Sequence, residues 1–303
     1  MTSAADRPAR PTRRAFLAHA GALGGLCLAA PALGAGLEWP VRFGLTGVVV
    51  RENLAFFREW GGYLRQRLRR PVEFVQRRSY REVMQLLESG EVDFAWICGF
   101  PFVRAREAGY VTLVAVPEYR GEPLYRSYVI VHRDSPHQSL AGLRDKVFAF
   151  SDPDSNSGYL APREMLSSVT DAPEAFFRQT FFTFDHAETV EAVAERVADG
   201  GAVDSYVWEH LQRSNPALAE RTRVVERSEL FGFPPVVARR SGDGFLTAGM
   251  TDALLGMHGD DEGRDLLAAL DLDRFAAHPP DLYDGITQMA TRLSNPAWRT
   301  FVP

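Results

Sequence analysis

Three short hydrogen-bonding side chains, Ser155, Asn156 and Ser157, lie between an apolar run and Gly158. The apolar run, residues 147–150, is typical of a buried strand, and a helical pattern follows the glycine. A helix N-terminus carries unpaired N–H groups and a partial positive charge, to which hydroxyl and amide donors can add. The stretch therefore predicts an anion site. An ordinary N-cap between a strand and a helix is the simpler interpretation.

The composition indicates that an anion at this site must be held by local hydrogen-bond donors. The chain of 303 residues has a net charge of −5, with 46% hydrophobic and 24% charged residues. This is a globular composition, and the chain is long enough for two domains. Because there is no basic excess, we expect no nucleic-acid partner and no general electrostatic capture of anions.

Strand and helix patterns alternate in the first third of the chain. Strand patterns at residues 41–45, 72–75 and 93–99 are separated by helical patterns at 51–69 and 80–89. This succession predicts a parallel sheet with right-handed crossovers. Ligands in such sheets bind outside the carboxyl ends of the strands.

Three residues lie at or just after these strand ends: Thr46, Tyr80 and Cys98. We interpret them as candidate ligand contacts, with a turn or core role as the alternative for each. Residues 100–101, Phe-Pro, are expected to form a loop after the third strand. Removal of the first 35 residues leaves Cys98 as the one remaining cysteine, so no intramolecular disulfide is expected.

A second β-α-β-α unit is predicted after a long strand at residues 121–131, which would cross between lobes. Strands are expected at 146–150 and 181–184, and helices at 159–168 and 189–198. The last 60 residues or so are predicted to be mainly helical.

Residues 1–35 have the composition of an export signal. Four arginines precede an uncharged stretch that ends in small residues, and we expect cleavage near residues 34–36. The order Thr12-Arg13-Arg14-Ala15-Phe16-Leu17 is similar to the twin-arginine export signal. The resemblance implies export of the folded chain to the periplasm by the twin-arginine machinery.

Two alternatives exist for this segment. Retention as a membrane anchor is disfavoured because the apolar stretch is short, rich in Gly and Ala, and contains His19. Lipid attachment at Cys27 is disfavoured because Leu26 stands where lipid attachment prefers a small residue.

The loop at residues 152–158, Asp-Pro-Asp-Ser-Asn-Ser-Gly, and the segment 202–209 resemble the periplasmic solute-binding proteins of phosphonate, phosphite and phosphate ABC transporters. The resemblance covers about residues 40–295. The loop is similar to the family's Asp-Pro-x-Ser-Thr-Ser-Gly loop, whose hydroxyls and amides hold the phosphorus oxyanion. Residues 121–131 match the family's order, and Tyr80 falls where a family tyrosine contacts phosphonate oxygens.

The resemblance implies a type II periplasmic binding protein fold: two α/β lobes, each a mixed or mostly parallel sheet flanked by helices. Residues 37–124 with 236–303 would form lobe I, and residues 125–235 lobe II. Two crossings, residues 119–128 and 230–236, would act as hinges about which ligand binding closes the lobes.

Second-lobe carboxylates and a histidine hold the ammonium in family members that take aminoalkyl phosphonates, and His186 and Asp204 are the plausible counterparts here. The candidate ligand site then comprises Ser155, Asn156, Ser157, Tyr80, Thr46, Cys98, Tyr125, His186 and Asp204.

Two departures from the family pattern concern the ligand. Asn156 stands where threonine is usual, which keeps hydrogen bonding but alters its geometry. At the return crossing, Phe233-Pro234-Pro235 offers no acid where some members carry one. The second departure argues against a simple aminoethylphosphonate specificity.

The expected function is oxyanion capture for an ABC transporter permease. The alternative is a periplasmic sensor, because some exported relatives of the family look like arsenite-binding proteins that use a cysteine and signal to a membrane histidine kinase. Cys98 could supply such a soft ligand, although a lone cysteine is more often buried packing.

An enzyme is a third possibility, with Ser155 or Ser157 as nucleophile and His186 as base. No nucleophile elbow, metal-spaced His/Cys cluster or phosphate-loop lysine pattern supports it. We therefore expect no catalysis, no cofactor, no metal and a monomeric protein.

Overall fold

Two large β-sheets form the framework of the structure, a computed structural model that describes residues 39–47, 54–170 and 172–294. These residues lie within one compact unit that begins at residue 38. The predicted export signal, residues 1–35, lies outside the described residues.

Thirteen strands are present in the described part of the chain. In chain order they are β1 (Val41–Leu45), β2 (Val72–Gln76), β3 (Phe94–Trp96), β4 (Val111–Glu118), β5 (Leu124–Tyr125), β6 (Ser127–His132), β7 (Val147–Phe150), β8 (Gln179–Phe182), β9 (Gly200–Asp204), β10 (Thr222–Arg227), β11 (Phe231–Gly232), β12 (Val236–Arg239) and β13 (Arg274–Ala276).

The first sheet has the strand order β13-β4-β12-β3-β1-β2. β1 pairs in parallel with β2 and β3, with Phe43 opposite Phe74 on one side and Phe94 on the other. This confirms the parallel arrangement predicted for the first three strands. β12 and β13 add antiparallel pairs around β4, so the sheet is mixed.

The second sheet has the order β10-β6-β9-β7-β8. β7 is parallel to β8 and β9, whereas β6 is antiparallel to β9 and β10. A separate two-stranded ribbon pairs β5 with β11, with Tyr125 opposite Phe231. The mixed sheets with their helices confirm the predicted α/β class.

Helices connect and cover the strands, and none of the described ones is long and apolar enough to cross a membrane. Their bounds are α1 (Leu54–Leu68), α2 (Tyr80–Ser89), α3 (Gly99–Ala108), α4 (Ala161–Ser167), α5 (His186–Ala194), α6 (Ser205–Ser214), α7 (Pro216–Ala219), α8 (Gly244–Leu255), α9 (Asp261–Ala269) and α10 (Asp284–Leu293).

The expected loop at residues 100–101 is wrong, because these residues lie in the first turn of α3. Pro101 is tolerated there because the first N–H groups of a helix have no intrahelical partner. Gly109 ends the helix with a φ of 80°, a left-handed conformation that glycine adopts without strain. The sequence interpretation also missed β4 entirely.

Two further element boundaries differ from expectation. The long strand predicted at residues 121–131 is divided into β5 and β6 at Arg126, whose N–H donates to Ser205 Oγ at 2.9 Å. The helix expected from residue 159 starts earlier, with a π-helical turn at Asn156–Leu160 that runs into α4. At Arg126 a side chain thus replaces a backbone partner, whereas the π-helical turn is made by backbone bonds and capped by the Ser155 side chain.

Packed aromatic rings hold α1 against the first sheet. Trp60 of α1 is fully buried, with ring centroids 5.5 Å from Phe43, 5.1 Å from Phe74 and 6.1 Å from Trp96. Close-packed rings of this size resist displacement. The carboxyl ends of β1 and β3 are therefore held by a rigid layer.

Candidate ligand site

The first sheet brings three of the predicted residues to the carboxyl ends of its parallel strands. Thr46 follows β1, Tyr80 is the first residue of α2 after β2, and Cys98 is the N-cap of α3 after β3. Each of these side chains is buried, with at most 4% of the residue surface exposed. This placement follows the rule for ligand sites in parallel sheets.

The second sheet brings five more of the predicted residues to the carboxyl ends of its parallel strands. Ser155, Asn156 and Ser157 follow β7, His186 begins α5 after β8, and Asp204 is the last residue of β9. All five are fully buried. Tyr125, the ninth predicted residue, lies in β5 and is also buried.

The loop after β7 makes a tight turn into the π-helical turn. Asp152 Oδ1 accepts the N–H of Asp154 at 2.7 Å, and the Asp152 carbonyl accepts the N–H of Ser155 at 2.9 Å. Ser155 is the N-cap, since its Oγ accepts the N–H of Gly158 at 2.9 Å. A Cβ on Gly158 would lie 2.5 Å from the Cβ of Ser151, so glycine is required. These contacts fix the two residues between the cap and the glycine.

Asn156 connects this loop to the first sheet and to the ribbon. Its N–H donates to Cys98 Sγ at 3.2 Å, and its Nδ2 donates to Tyr125 Oη at 3.1 Å. Tyr125 Oη lies 3.6 Å from Cys98 Sγ. Burial raises the pKa of both the thiol and the phenol, so both groups keep their protons.

The contacts of His186 define which ring nitrogen carries its proton. Nδ1 accepts the N–H of Asp204 at 3.1 Å and lies 2.8 Å from Ser151 Oγ. Burial lowers the pKa of His186 to about 3, so the ring is neutral. Because Nδ1 is an acceptor, the single proton lies on Nε2. His186 thus offers an N–H donor.

The two carboxyl oxygens of Asp204 have different surroundings, because Oδ1 caps a helix and Oδ2 has no hydrogen-bond partner among the described residues. Oδ1 caps α6 by accepting the N–H groups of Tyr206 at 2.8 Å and Val207 at 3.4 Å. Burial raises the pKa of Asp204 to about 7, although these two N–H groups lower it in part. The acid is therefore close to half-protonated at neutral pH.

Five buried polar atoms of the candidate residues have no hydrogen-bond partner in the described part of the chain. They are Tyr80 Oη, Asn156 Oδ1, Ser157 Oγ, His186 Nε2 and Asp204 Oδ2. A buried polar group without a partner costs about 1–3 kcal/mol, and such groups are rare in folded proteins. Their concentration at the carboxyl ends of the parallel strands of both sheets indicates a site for a polar ligand.

The Asp204 carboxylate acts electrostatically on buried groups that adjoin the first sheet. After burial itself, the Asp204 carboxylate is among the causes that raise the pKa of Tyr80, Tyr125 and Cys98. Asp204 belongs to the second sheet, whereas Tyr80 and Cys98 adjoin the first. The two edges therefore enclose a common polar region.

Thr46 lies beside this region, but its hydroxyl proton has a partner. Thr46 Oγ1 donates to the Trp96 carbonyl at 3.0 Å. A Cβ on the adjacent Gly47 would lie 3.5 Å from both Asp185 Cα and Tyr80 Cε1. The loop after β1 thus touches the start of α5 from the other sheet.

Three residues at the site were not singled out from the sequence. Ser151, the last residue before the loop, orients His186 through the contact with Nδ1. Asp152 Oδ2 accepts the N–H of Tyr80 at 3.0 Å, and burial raises the pKa of Asp152 to about 6. Asp154 forms ion pairs with first-sheet arginines. The sequence signal for the two acids is their position around a proline at a strand end.

The geometry does not support the nucleophile-and-base alternative. The serine in contact with His186 is Ser151, rather than Ser155 or Ser157. Ser151 Oγ donates to the Ala202 carbonyl at 2.8 Å, and an imidazole with a pKa of about 3 is a weak base at neutral pH. Among the residues that the structure describes, no three His, Cys, Asp or Glu side chains are grouped to hold a metal ion.

Family comparison identifies the class of protein. The model of the family described as ABC transporter, phosphonate, periplasmic substrate-binding protein matches residues 50–283. The chain therefore belongs to this family of phosphonate-type periplasmic substrate-binding proteins. The family resemblance stated from the loop at residues 152–158 is confirmed.

Individual relatives agree with this assignment. The chain is similar to the phosphonates-binding periplasmic protein of Escherichia coli, with 26% identity over 223 residues that cover 71% of this chain and 65% of that protein. It is also similar to the phosphate-import protein PhnD of Mycolicibacterium smegmatis, with 30% identity over 149 residues, 45% of this chain and 46% of that protein. The matches span less than two thirds of either relative's length.

A solved structure shows the same fold. The binding protein component of an ABC phosphonate transporter from Pseudomonas aeruginosa superposes with a TM-score of 0.78 at 23% identity, covering 87% of this chain and 90% of that chain. This confirms the predicted type II periplasmic binding protein fold.

The sensor alternative is not favoured. The family model is described as an ABC transporter substrate-binding protein, and the relative from Mycolicibacterium smegmatis as a phosphate-import protein. Cys98 accepts a backbone N–H, and burial raises the pKa of its thiol. A neutral, hydrogen-bonded thiol is a poor metal or arsenic ligand, because the thiolate is the ligating form.

Proposed function

We propose that this protein is an exported solute-binding protein that captures a phosphonate-, phosphite- or phosphate-type oxyanion between its two sheets for an ABC transporter. The observation that carries the proposal is the set of five buried polar atoms without partners, contributed from both sheets. A ligand with several oxygens can satisfy most of them at once. The descriptions of the family and of the relatives support the same ligand class.

The five atoms also define what the ligand must offer. Tyr80, Ser157 and His186 supply donors, whereas Asn156 Oδ1 and the ionised form of Asp204 supply acceptors. None of these groups is a cation, so the oxyanion is held by neutral hydrogen bonds. A buried carboxylate and an oxyanion repel one another unless a proton lies between them. The site therefore favours an oxyanion that binds with one proton shared with Asp204.

The division into two lobes, residues 37–124 with 236–303 and residues 125–235, is supported by sheet membership. The strands of the first sheet all fall in the first group, and those of the second sheet in the other. The β5–β11 ribbon lies at the crossings proposed as hinges, residues 119–128 and 230–236. When the lobes close over the ligand, the five donor and acceptor atoms exchange water for the ligand as their hydrogen-bond partner.

Export and delivery complete the proposed function. Residues 1–35 would direct the folded chain to the twin-arginine machinery and be removed near residues 34–36. The mature monomer would act in the periplasm and present the bound oxyanion to the permease of an ABC transporter. The periplasmic character of the family supports this location.

The return crossing argues for an oxyanion with a small or apolar substituent. Phe233 is fully buried, with its ring centroid 5.8 Å from that of Tyr125 and 5.1 Å from that of Tyr206. An aromatic ring therefore stands beside Tyr125 where an acid would be needed for an ammonium. We expect no preference for aminoethylphosphonate over methylphosphonate.

Calorimetric titration with phosphate, phosphite, methylphosphonate and aminoethylphosphonate tests the proposal. At least one should bind with one-to-one stoichiometry, and at a hundred times its dissociation constant it should add about 2.7 kcal/mol to the free energy of unfolding. Ser241→Ala, at an exposed serine remote from the site, is the control and should bind like the parent. Lack of binding by all four compounds would overturn the proposal.

A further inference from the structure

A cavity of about 340 Å³, here called the boundary cavity, lies between the first-sheet and second-sheet halves. Its walls come from α2, α3 and α10 on one side, and from the loop after β7, α4 and β8 on the other. None of the nine candidate ligand residues lines it. The boundary cavity is therefore distinct from the oxyanion site.

The wall of the boundary cavity carries more positive than negative charge. Arg81, Arg104 and Arg163 line it together with one acid, Asp154. Asp154 accepts Arg81 Nε at 3.3 Å and Arg104 Nη1 at 3.0 Å. Each guanidinium has five N–H donors in a fixed fork. The hydrogen bonds to the single Asp154 carboxylate therefore use few of the N–H donors of Arg81 and Arg104. Both side chains are more than half exposed.

A neighbouring cavity provides an internal comparison. Its volume is about 330 Å³, and the same Arg81, Arg104 and Asp154 line it from the other side. There, Glu88 supplies a second acid and balances the two arginines. The ratio of arginines to acids, three to one against two to two, therefore distinguishes the boundary cavity from a cavity of similar size.

Apolar rings and side chains form the remainder of the wall. Phe100, Tyr159, Leu160 and Phe182 contribute to it, and the Arg104 guanidinium lies 5.6 Å from the centroid of the Phe100 ring. A pocket of this volume, mostly apolar with a few polar groups, is typical of small-molecule sites. We propose that the boundary cavity binds a small organic anion, with its acidic group on the arginines and its apolar body against the rings.

An occupant of the boundary cavity would couple to the oxyanion site. Arg81 and Arg104 belong to the first-sheet half and Arg163 to the second. An anion in contact with both sides stabilises the arrangement in which they face each other. If the lobes close as in the proposed function, each ligand raises the affinity of the other by the same factor.

Three compounds with one ring and different charges test the proposal: benzoate, benzamide and benzylamine. Calorimetry on the full chain without added oxyanion should show benzoate binding at least tenfold more tightly than the other two. Arg81→Gln and Arg104→Gln should each weaken benzoate by about fivefold to tenfold, as expected for a charge-assisted hydrogen bond. Arg65→Gln, at an exposed arginine of α1, makes the same charge change away from the cavity and should have no effect.

Several outcomes would overturn the proposal. They are failure of benzoate to bind, benzamide binding as tightly as benzoate, or equal benzoate affinity in the Arg104→Gln and Arg65→Gln variants. A second titration in saturating methylphosphonate locates the site. Higher benzoate affinity supports the boundary cavity, and competition would place benzoate at the oxyanion site instead. Failure of the oxyanions to bind would leave the benzoate comparison intact and count only against the proposed function.

Discussion

At the scale of single residues, backbone N–H groups determine which atoms of His186 and Asp204 are left for a ligand. His186 and Asp204 are 18 positions apart, yet the backbone N–H of Asp204 donates to Nδ1 of the His186 ring. Because Nδ1 accepts this N–H, the imidazole proton lies on Nε2. Burial and backbone contacts determine the protonation states of His186 and Asp204. Residue types alone indicate neither the burial nor the contacts. The choice of candidate residues therefore stays a prediction, and their role as donor or acceptor depends on contacts that residue types do not show.

The raised pKa of Asp204, about 7, predicts a pH-dependent affinity. Below that pH the acid is protonated and can donate to an oxyanion. As the pH rises through about 7, it becomes a carboxylate that repels the ligand. We expect the affinity for phosphite, relative to that of an Asp204→Asn variant, to fall between about pH 6 and pH 8.5. The loss should approach tenfold per pH unit at its steepest.

The asparagine variant is the matched control for this prediction. Its amide can cap α6 and donate to the ligand without titrating, and the titration of phosphite itself cancels in the ratio. The ligand-free parent should also lose stability relative to the variant as the pH rises from about 4 to about 7, because the folded state holds the proton more tightly. A ratio of affinities that is constant with pH would contradict the assigned role of Asp204.

At the scale of elements, the loop after β7 gives different roles to two serines that are separated by one residue. Ser155 Oγ caps the helical turn, whereas Ser157 Oγ has no partner among the described residues. We expect Ser155→Ala to lower the free energy of unfolding by about 1 kcal/mol, the usual value of an N-cap. Ser157→Ala should leave stability almost unchanged and weaken oxyanion binding by about tenfold or more.

Urea unfolding and calorimetry on both variants separate the two roles. Asparagine at Ser155 should recover the stability, because it is as good a cap as serine. Equal losses of stability in the two alanine variants, with unchanged affinity for phosphite in Ser157→Ala, would mean that the loop is only a helix cap.

The sequence predicted elements well where one periodicity dominates. The strands β1 to β3 and the helices between them have clear apolar patterns, and the structure confirms them. α3 was missed because Pro101 near its start resembles a loop signal, although proline is compatible with a first helical turn. Pairing of β4 with β12 joins segments more than a hundred residues apart, and a local pattern carries no record of such a contact.

At the scale of the whole molecule, acidic residues of the loop after β7 join the two halves. Asp152 accepts the first N–H of α2, and Asp154 pairs with Arg81 and Arg104. These contacts cross from the second-sheet half to the first. They exist only when the halves face each other, so they contribute to the free energy of closure in the proposed function.

Asp154→Asn should therefore weaken oxyanion binding without a direct contact to the oxyanion. Two half-exposed ion pairs contribute about 1 kcal/mol together, which corresponds to a dissociation constant about fivefold higher. Asp134→Asn is the matched control, because Asp134 pairs with Arg196 inside the second-sheet half. Its affinity for phosphite should equal that of the parent. Calorimetry measures both constants, and small-angle scattering should show the Asp154→Asn variant more open at low phosphite. Equal affinities in the two variants would show that these ion pairs do not contribute to closure.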